Sequence, residues 1–237
     1  MKFCGIDLHS NNSVVVVTDE TDRVLVSRRC PNELTKILDL LEPYRAELAG
    51  TVVESTYNWY WLVDGLIAAG YEVRLAHPAA MSRYEGLKHS DDKDDAAFLA
   101  HLLRLGILPT GYIHPPQERA LRDLSRKRIQ LVRSRTQHIL AIENIVARQF
   151  GHRLSCNAVK ALSATSVDRL GLPTDVALAL KANVAVIQAV QSQVDLIEDR
   201  LRHEVSLRPE FSLLKTMPGV GEILAMVIRR KGDRFIF

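Results

Sequence analysis

Apolar and polar positions change their rhythm several times along the chain, and each change marks an element. Residues 2–8, 13–18 and 24–29 are short runs rich in Val, Ile and Thr, separated by Ser10-Asn11-Asn12 and by Asp19-Glu20-Thr21-Asp22. β-Branched side chains pack well on a pleated surface, whereas Ser, Asn and Asp build turns. The spacing therefore predicts three antiparallel strands in a meander. After Pro31 and Asn32, which act as start signals, Leu34, Ile37, Leu38 and Leu41 recur every three or four residues, the period of a helix. Thr51-Val52-Val53-Glu54 reads as the next strand. Leu62, Leu66 and Ile67 mark a second helix ended by Gly70, and residues 71–76 a fifth strand closed by Pro78. Three strands, helix, strand, helix, strand is the order of a mixed five-stranded sheet with helices on its faces.

A helix over 92–105 follows, stopped by Gly106 and Pro109. Residues 117–150 then contain no Gly or Pro, and Leu121, Leu124, Leu131, Ile139, Ile142 and Val146 recur at near-heptad intervals. At 1.5 Å per residue this helix spans about 50 Å. Beyond a break holding Gly151, Gly171 and Pro173, a second run places Leu180, Val184, Ile187, Val190, Val194, Ile197, Leu201 and Val205 on one seam. Two long helices with facing seams predict an antiparallel coiled-coil arm, ended by Pro209; an ordinary helical bundle is the alternative. In the tail, Met217-Pro218-Gly219-Val220-Gly221 predicts a tight turn between two short apolar helices. That is the form of a helix-hairpin-helix, whose free N–H groups around Gly219 and Gly221 can hold a phosphate, although a plain helical hairpin fits the same residues. The expected division is 1–112, 113–208 and 209–237.

Composition narrows the class of protein. With 47% hydrophobic and 25% charged residues the chain is neither disordered nor membrane-embedded, and apolar runs such as 14–17 fall far short of the roughly 20 residues a bilayer requires. The N-terminus runs straight into strand pattern without a signal peptide, so a cytoplasmic protein with no membrane partner is expected. Cys4, Cys30 and Cys156 are odd in number and widely spaced, which indicates neither a disulfide framework nor a zinc site. A net charge of +3 permits an acidic partner. Its distribution is more telling: Arg119, Arg122, Arg126, Lys127, Arg128, Arg133 and Arg135 crowd the start of the first long helix, a surface suited to a DNA or structured RNA backbone. A solvated helix face is the alternative.

Candidate chemistry lies in the acids. Asp7 ends the first strand and Glu54 ends a strand apolar on both faces, where a carboxylate is costly unless paired or bound to metal. Asp91-Asp92-Lys93-Asp94-Asp95 places four acids in five positions at a helix start. Capping and the helix dipole account for such acids in general, but helical phase ranks them. The stripe Leu99, Leu102, Leu103 projects back to Asp95 and Asp92, with Asp91 and Asp94 about 100° away. Asp7, Glu54, Asp92 and Asp95 would then converge from two strand ends and one helix, a set of hard oxygen ligands suited to two Mg²⁺ ions, with Mn²⁺ as a substitute. His9, His77 and His89 lie near this site and receive no role.

Cys4-Gly-Ile-Asp-Leu-His, Val53-Glu-Ser-Thr, Asp92-Lys-Asp-Asp95-Ala and Met217-Pro-Gly-Val-Gly together resemble the DEDD-type transposases of the insertion sequence 110 family, over nearly the whole chain and in the family's order. The resemblance implies an RNase H/RuvC-like catalytic domain, a coiled-coil arm and the start of a C-terminal transposase domain. It implies that Asp7, Glu54, Asp92 and Asp95 form the DEDD quartet, Ala96 selecting this frame over Asp91/Asp94. The implied partners are element ends and target DNA, a structured guide RNA, and a second copy of the chain through the arm. A nucleophilic Ser is expected beyond the Pro-Gly-Val-Gly turn, and Arg229-Arg-Lys-Gly-Asp-Arg-Phe departs from the acidic continuation usual there. The sequence thus reads as a truncated or frameshifted copy, with a non-catalytic nucleic-acid-binding remnant as the second reading. An actin-like ATPase, which also opens on Gly-Ile-Asp-Leu, is the third; its phosphate loops need Gly or Thr where this chain has His9-Ser-Asn-Asn.

Overall fold

The computed structural model describes residues 1–81, 92–206 and 209–221, and two compact units, Met1–Ile113 and His114–Phe237, divide the chain. In the first, strands β1 (Lys2–Leu8), β2 (Asn12–Asp19) and β3 (Val24–Pro31) form the expected antiparallel meander. β4 (Leu48–Glu54) lies parallel to β1, and β5 (Val73–Ala76) parallel to β4. The sheet has six strands rather than five, in the order β3-β2-β1-β4-β5-β6. The extra one, β6 (Thr110–Gly111), pairs antiparallel with β5. A two-residue strand has no alternation to detect, so periodicity could not reveal it.

Helices cover both faces. α1 (Leu34–Leu41) and α2 (Tyr60–Ala68) bury Ile37, Leu41, Leu62 and Leu66 with Cys4, Ile6, Leu8, Val15 and Val17 on one side. A short helix, α3 (Pro78–Met81), follows β5. On the other side α4 (Asp92–Arg104) lays Ala96 against Val14 and Val16, and Leu99 and Leu103 against Val52 and Ala76. The approach is close: a Cβ at Gly5 would run into the carbonyl of Ala96, so only glycine admits the helix there. Gly106, at φ 70°, ends α4 as its sequence position predicts.

The second unit is built on α5 (Pro116–Phe150) and α8 (Thr174–Ser206), of 35 and 33 residues. They run antiparallel. Arg128 pairs with Glu198, Arg135 with Gln191 and His138 with Asn183, residue numbers rising on one helix as they fall on the other. Ile139, Ile142 and Val146 pack with Leu180, Val184 and Ile187 toward one end, and Leu121 and Leu124 with Ile197 and Leu201 toward the other. The side chain of Val205 lies outside the described residues. Between the long helices the chain forms α6 (Cys156–Lys160) and α7 (Ala164–Asp168), capped by the hydroxyls of Ser155 and Ser163, with Val159 and Val167 buried in the joint core. Pro209 not only follows α8 but opens α9 (Pro209–Lys215), since a first-turn proline gives up no helical hydrogen bond. Gly219 adopts φ 79° in the turn beyond. The second helix of the expected hairpin falls outside the described residues. Among the described residues no helix is long and apolar enough to cross a membrane.

Candidate active site

Two strand ends bring two carboxylates side by side. β1 and β4 are parallel and in register, Cys4 opposite Thr51, Gly5 opposite Val52 and Ile6 opposite Val53. The next step places Asp7 beside Glu54, on adjacent strands about 4.8 Å apart. Because side chains alternate along a strand, Asp7 shares its face with Gly5, and Glu54 shares its face with Val52 and Gly50. This is the face that α4 covers, Ala96 over Gly5 and Leu103 over Gly50. α4 therefore runs opposite in direction to β1, and its N-terminal end lies toward the carboxylates. Asp7 is only 4% exposed.

Asp95 is half-buried in α4 with its Oδ1 covered, next to the Ala96 that touches Gly5. α4 begins at Asp92, one turn ahead of Ala96. The side chains of Asp92 and Asp94, all of Asp91 and all of His89 lie outside the described residues, as does the expected contrast between inward Asp92 and outward Asp91 and Asp94. Among the described residues no group of three or more His, Cys, Asp or Glu side chains is placed to hold a metal ion. What the sheet assembles is the Asp7–Glu54 pair.

The structure also gives His9 a place. Its Nε2 lies 3.2 Å from Asp7 Oδ2. The turn that carries it is held from two sides, for Asn32 and Asn58 each donate a side-chain amide N–H to the His9 carbonyl at 3.0 Å. Asn32 donates also to the Ser10 carbonyl and accepts from the Ser13 hydroxyl, while Asn58 accepts from the Thr56 hydroxyl. Asn32 is thus no cap for α1; Glu33 stands at that helix start, without a side-chain cap bond. The position of His9, two residues past Asp7, was the available signal. His77 serves structure, its Nδ1 accepting the Ala80 N–H at the start of α3.

Neighbouring groups set limits on the chemistry. Burial pushes the Cys4 thiol far up, against a smaller opposing effect from the Thr51 hydroxyl, so it is no thiolate nucleophile at neutral pH. At the far end of α4, Asp22 accepts from Arg104 Nε at 2.7 Å and contacts His101 Nδ1 at 2.9 Å. Burial favours its neutral form, but hydrogen bonds from Arg104 and His101 outweigh it and hold the carboxyl below the usual range. This clamp joins the β2–β3 turn to α4 and fixes the helix over the sheet.

The basic run on α5 is not one face. Arg119 is buried, Arg128 and Arg135 bond across to α8, and Arg122 bonds to His114. Helical geometry turns them into the unit. Arg126, Lys127 and Arg133 are the exposed ones, Arg126 paired with Asp123 and Lys127 with Gln130. Gly219 and Gly221 are exposed, in the turn after α9.

A transposase family model, that of the DEDD transposases of insertion sequence 110, matches residues 4–150. The chain belongs to this family. A comparison with curated proteins finds no match. In this DEDD transposase the matched span opens within β1, takes in Asp7, Glu54 and the whole of α4, and ends on the last residue of α5. Membership makes the chain a transposase of an insertion element and sets aside the actin-like ATPase reading.

Proposed function

We propose that this transposase breaks and joins DNA phosphodiesters at a divalent-metal site made by Asp7, Glu54, Asp92 and Asp95. The observation that carries this reading is the pair of carboxylates, Asp7 and Glu54, set side by side at adjacent parallel strand ends. Two such groups on one face, one of them buried, repel unless a proton or a cation intervenes. The donors are hard oxygens only, which fits Mg²⁺, with Mn²⁺ as a substitute, rather than zinc or copper. Asp7 and Glu54 would hold the ions from the sheet, and Asp92 and Asp95 from the first turn of α4. Metal held there would supply positive charge to a transferring phosphoryl group and would lower the pKa of an attacking hydroxyl or water.

The protein's own part is orientation. His9 steadies the Asp7 Oδ2 oxygen, and the Asn32 and Asn58 amides fix the turn that carries His9. On α5, Arg126, Lys127 and Arg133 are suited to the phosphate backbone of the element's DNA or of a guide RNA, and the α5–α8 pair to a coiled-coil contact with a second copy. The test is nicking of supercoiled plasmid in Mg²⁺ or Mn²⁺. Asp7→Asn and Glu54→Gln should each remove activity by at least about a hundredfold, the scale of losing electrostatic stabilisation at a transferring phosphoryl group. Full activity in either variant would contradict the reading.

A further inference from the structure

The turn that leaves β4 carries the most exposed large apolar side chain among the described residues. Tyr57, three residues past Glu54, is 81% exposed. Single exposed apolar side chains are ordinary on a protein surface; Tyr57 differs from them in its footing. On its near side the chain is β4, and on its far side Trp59 is buried in the core and meets the Tyr60 ring edge-on at 4.6 Å. Between these anchors the Thr56 N–H donates to the Glu54 carbonyl and the Thr56 hydroxyl to Asn58 Oδ1, both at 2.9 Å, while the Asn58 amide donates to the His9 carbonyl at 3.0 Å. Turns are made by Gly, Asn, Asp, Ser and Pro, so the turn itself gives no reason for a Tyr. The fold holds an aromatic ring out in water on a fixed support.

The place of that ring joins it to the carboxylates. β1, β4 and β5 are parallel, and in sheets of this kind ligands bind outside the carboxyl ends of the strands. Asp7, Glu54 and the turn over 55–59 all stand at that end. The Tyr57 backbone is at most about 11 Å from that of Glu54, the reach of three extended residues. The turn is bonded to the Asp7 side as well, because the same His9 whose carbonyl accepts from Asn58 contacts Asp7 Oδ2 through its ring.

We propose that Tyr57 stacks on an unpaired base of the DNA strand held at the Asp7–Glu54 site. An aromatic ring stacks on any base through its π-face and so takes single-stranded nucleic acid without reading its sequence. Within a duplex both faces of a base are covered by its neighbours, so the strand is locally unpaired where it meets the turn. At 3.4 Å per nucleotide the stacked base lies within about three nucleotides of the reacting phosphate. The inference rests on the reading of Asp7 and Glu54 as the reacting site.

The experiment uses the full chain and one fluorescein-labelled DNA oligonucleotide, offered as a single strand and as a duplex, with affinity measured by anisotropy. Tyr57→Ala should weaken single-strand binding by about fivefold or more, the scale of one lost base stack, and leave duplex binding as it was. Tyr57→Phe should bind as wild type, because the ring and not the hydroxyl makes the stack. The slope of log K against log salt should be the same in wild type and Tyr57→Ala, since stacking releases no counterions. Mn²⁺ binding, read by electron paramagnetic resonance, should persist in Tyr57→Ala and be lost in Asp7→Asn. Unchanged single-strand affinity in Tyr57→Ala overturns the proposal, and so does an equal loss on the duplex. A loss confined to single-stranded RNA of the same sequence also overturns it and would assign Tyr57 to RNA. A wild-type chain that binds no Mn²⁺ would sink the site reading whatever Tyr57→Ala does, and with it the placing of the stacked base beside a reacting phosphate.

Discussion

Gly5 and Asp22 show how single residues set the site. The α4 backbone passes so near β1 that a methyl group at position 5 would meet a carbonyl, which cannot turn aside as a flexible side chain can. Gly5→Ala should therefore cost about 1–3 kcal/mol by overpacking, read as a lower urea midpoint, and should weaken Mn²⁺ binding because α4 carries Asp92 and Asp95. A midpoint within error of wild type would mean that the helix approach is looser than described. Asp22 holds the other end of α4 and does so as a carboxylate, with φ 64° in its turn. Its pKa is lowered in the folded protein, so its stabilisation is complete above the ordinary carboxylate value of about 3.9 and is lost as pH falls through the lowered value. Asn tolerates the same backbone conformation. Wild type should thus exceed Asp22→Asn in stability at pH 5 and lose that advantage progressively as pH falls below about 3.9 in urea titrations; an advantage that grows with acid would reverse the sign.

Among the elements, length and period decided what could be read in the sequence. α5 was legible because 34 residues without Gly or Pro leave little else to form, and β1 to β5 because turn residues punctuate them. α6 and α7 were not. Five residues give no helical period, and their anchors, Val159 and Val167, are recognisable only once the long helices make a core for them. The basic run was legible only in part for a related reason: a cation's type is visible in sequence, but whether it faces solvent or the partner helix depends on phase and pairing. Arg128 and Glu198 are each about one-fifth exposed with N–O contact at 2.6 Å. Arg128→Leu or Glu198→Leu alone should cost about 1–3 kcal/mol by stranding its partner, whereas the double substitution should be near neutral. Chemical denaturation of the four proteins checks this, and additive losses would show that the two side chains act separately.

For the whole molecule, the site was legible as residue types at strand ends and a helix start, since Asp7 and Glu54 break otherwise apolar strands. Their adjacency was not, because it depends on the parallel register of β1 and β4, a pairing between segments more than forty residues apart. Nor were Asn32 and Asn58 legible as supports for His9, since each bond crosses from one loop to another and leaves no local pattern. Asp7, Glu54, Asp92 and Asp95, rather than their acidic neighbours, are the residues proposed to hold divalent metal. The most direct measurement is Mn²⁺ binding to the full chain by electron paramagnetic resonance, comparing wild type with Asp7→Asn, Asp92→Asn and Asp94→Asn. Binding should be lost in the Asp7 and Asp92 variants and kept in the Asp94 variant; loss in Asp94→Asn with retention in Asp92→Asn would contradict the account.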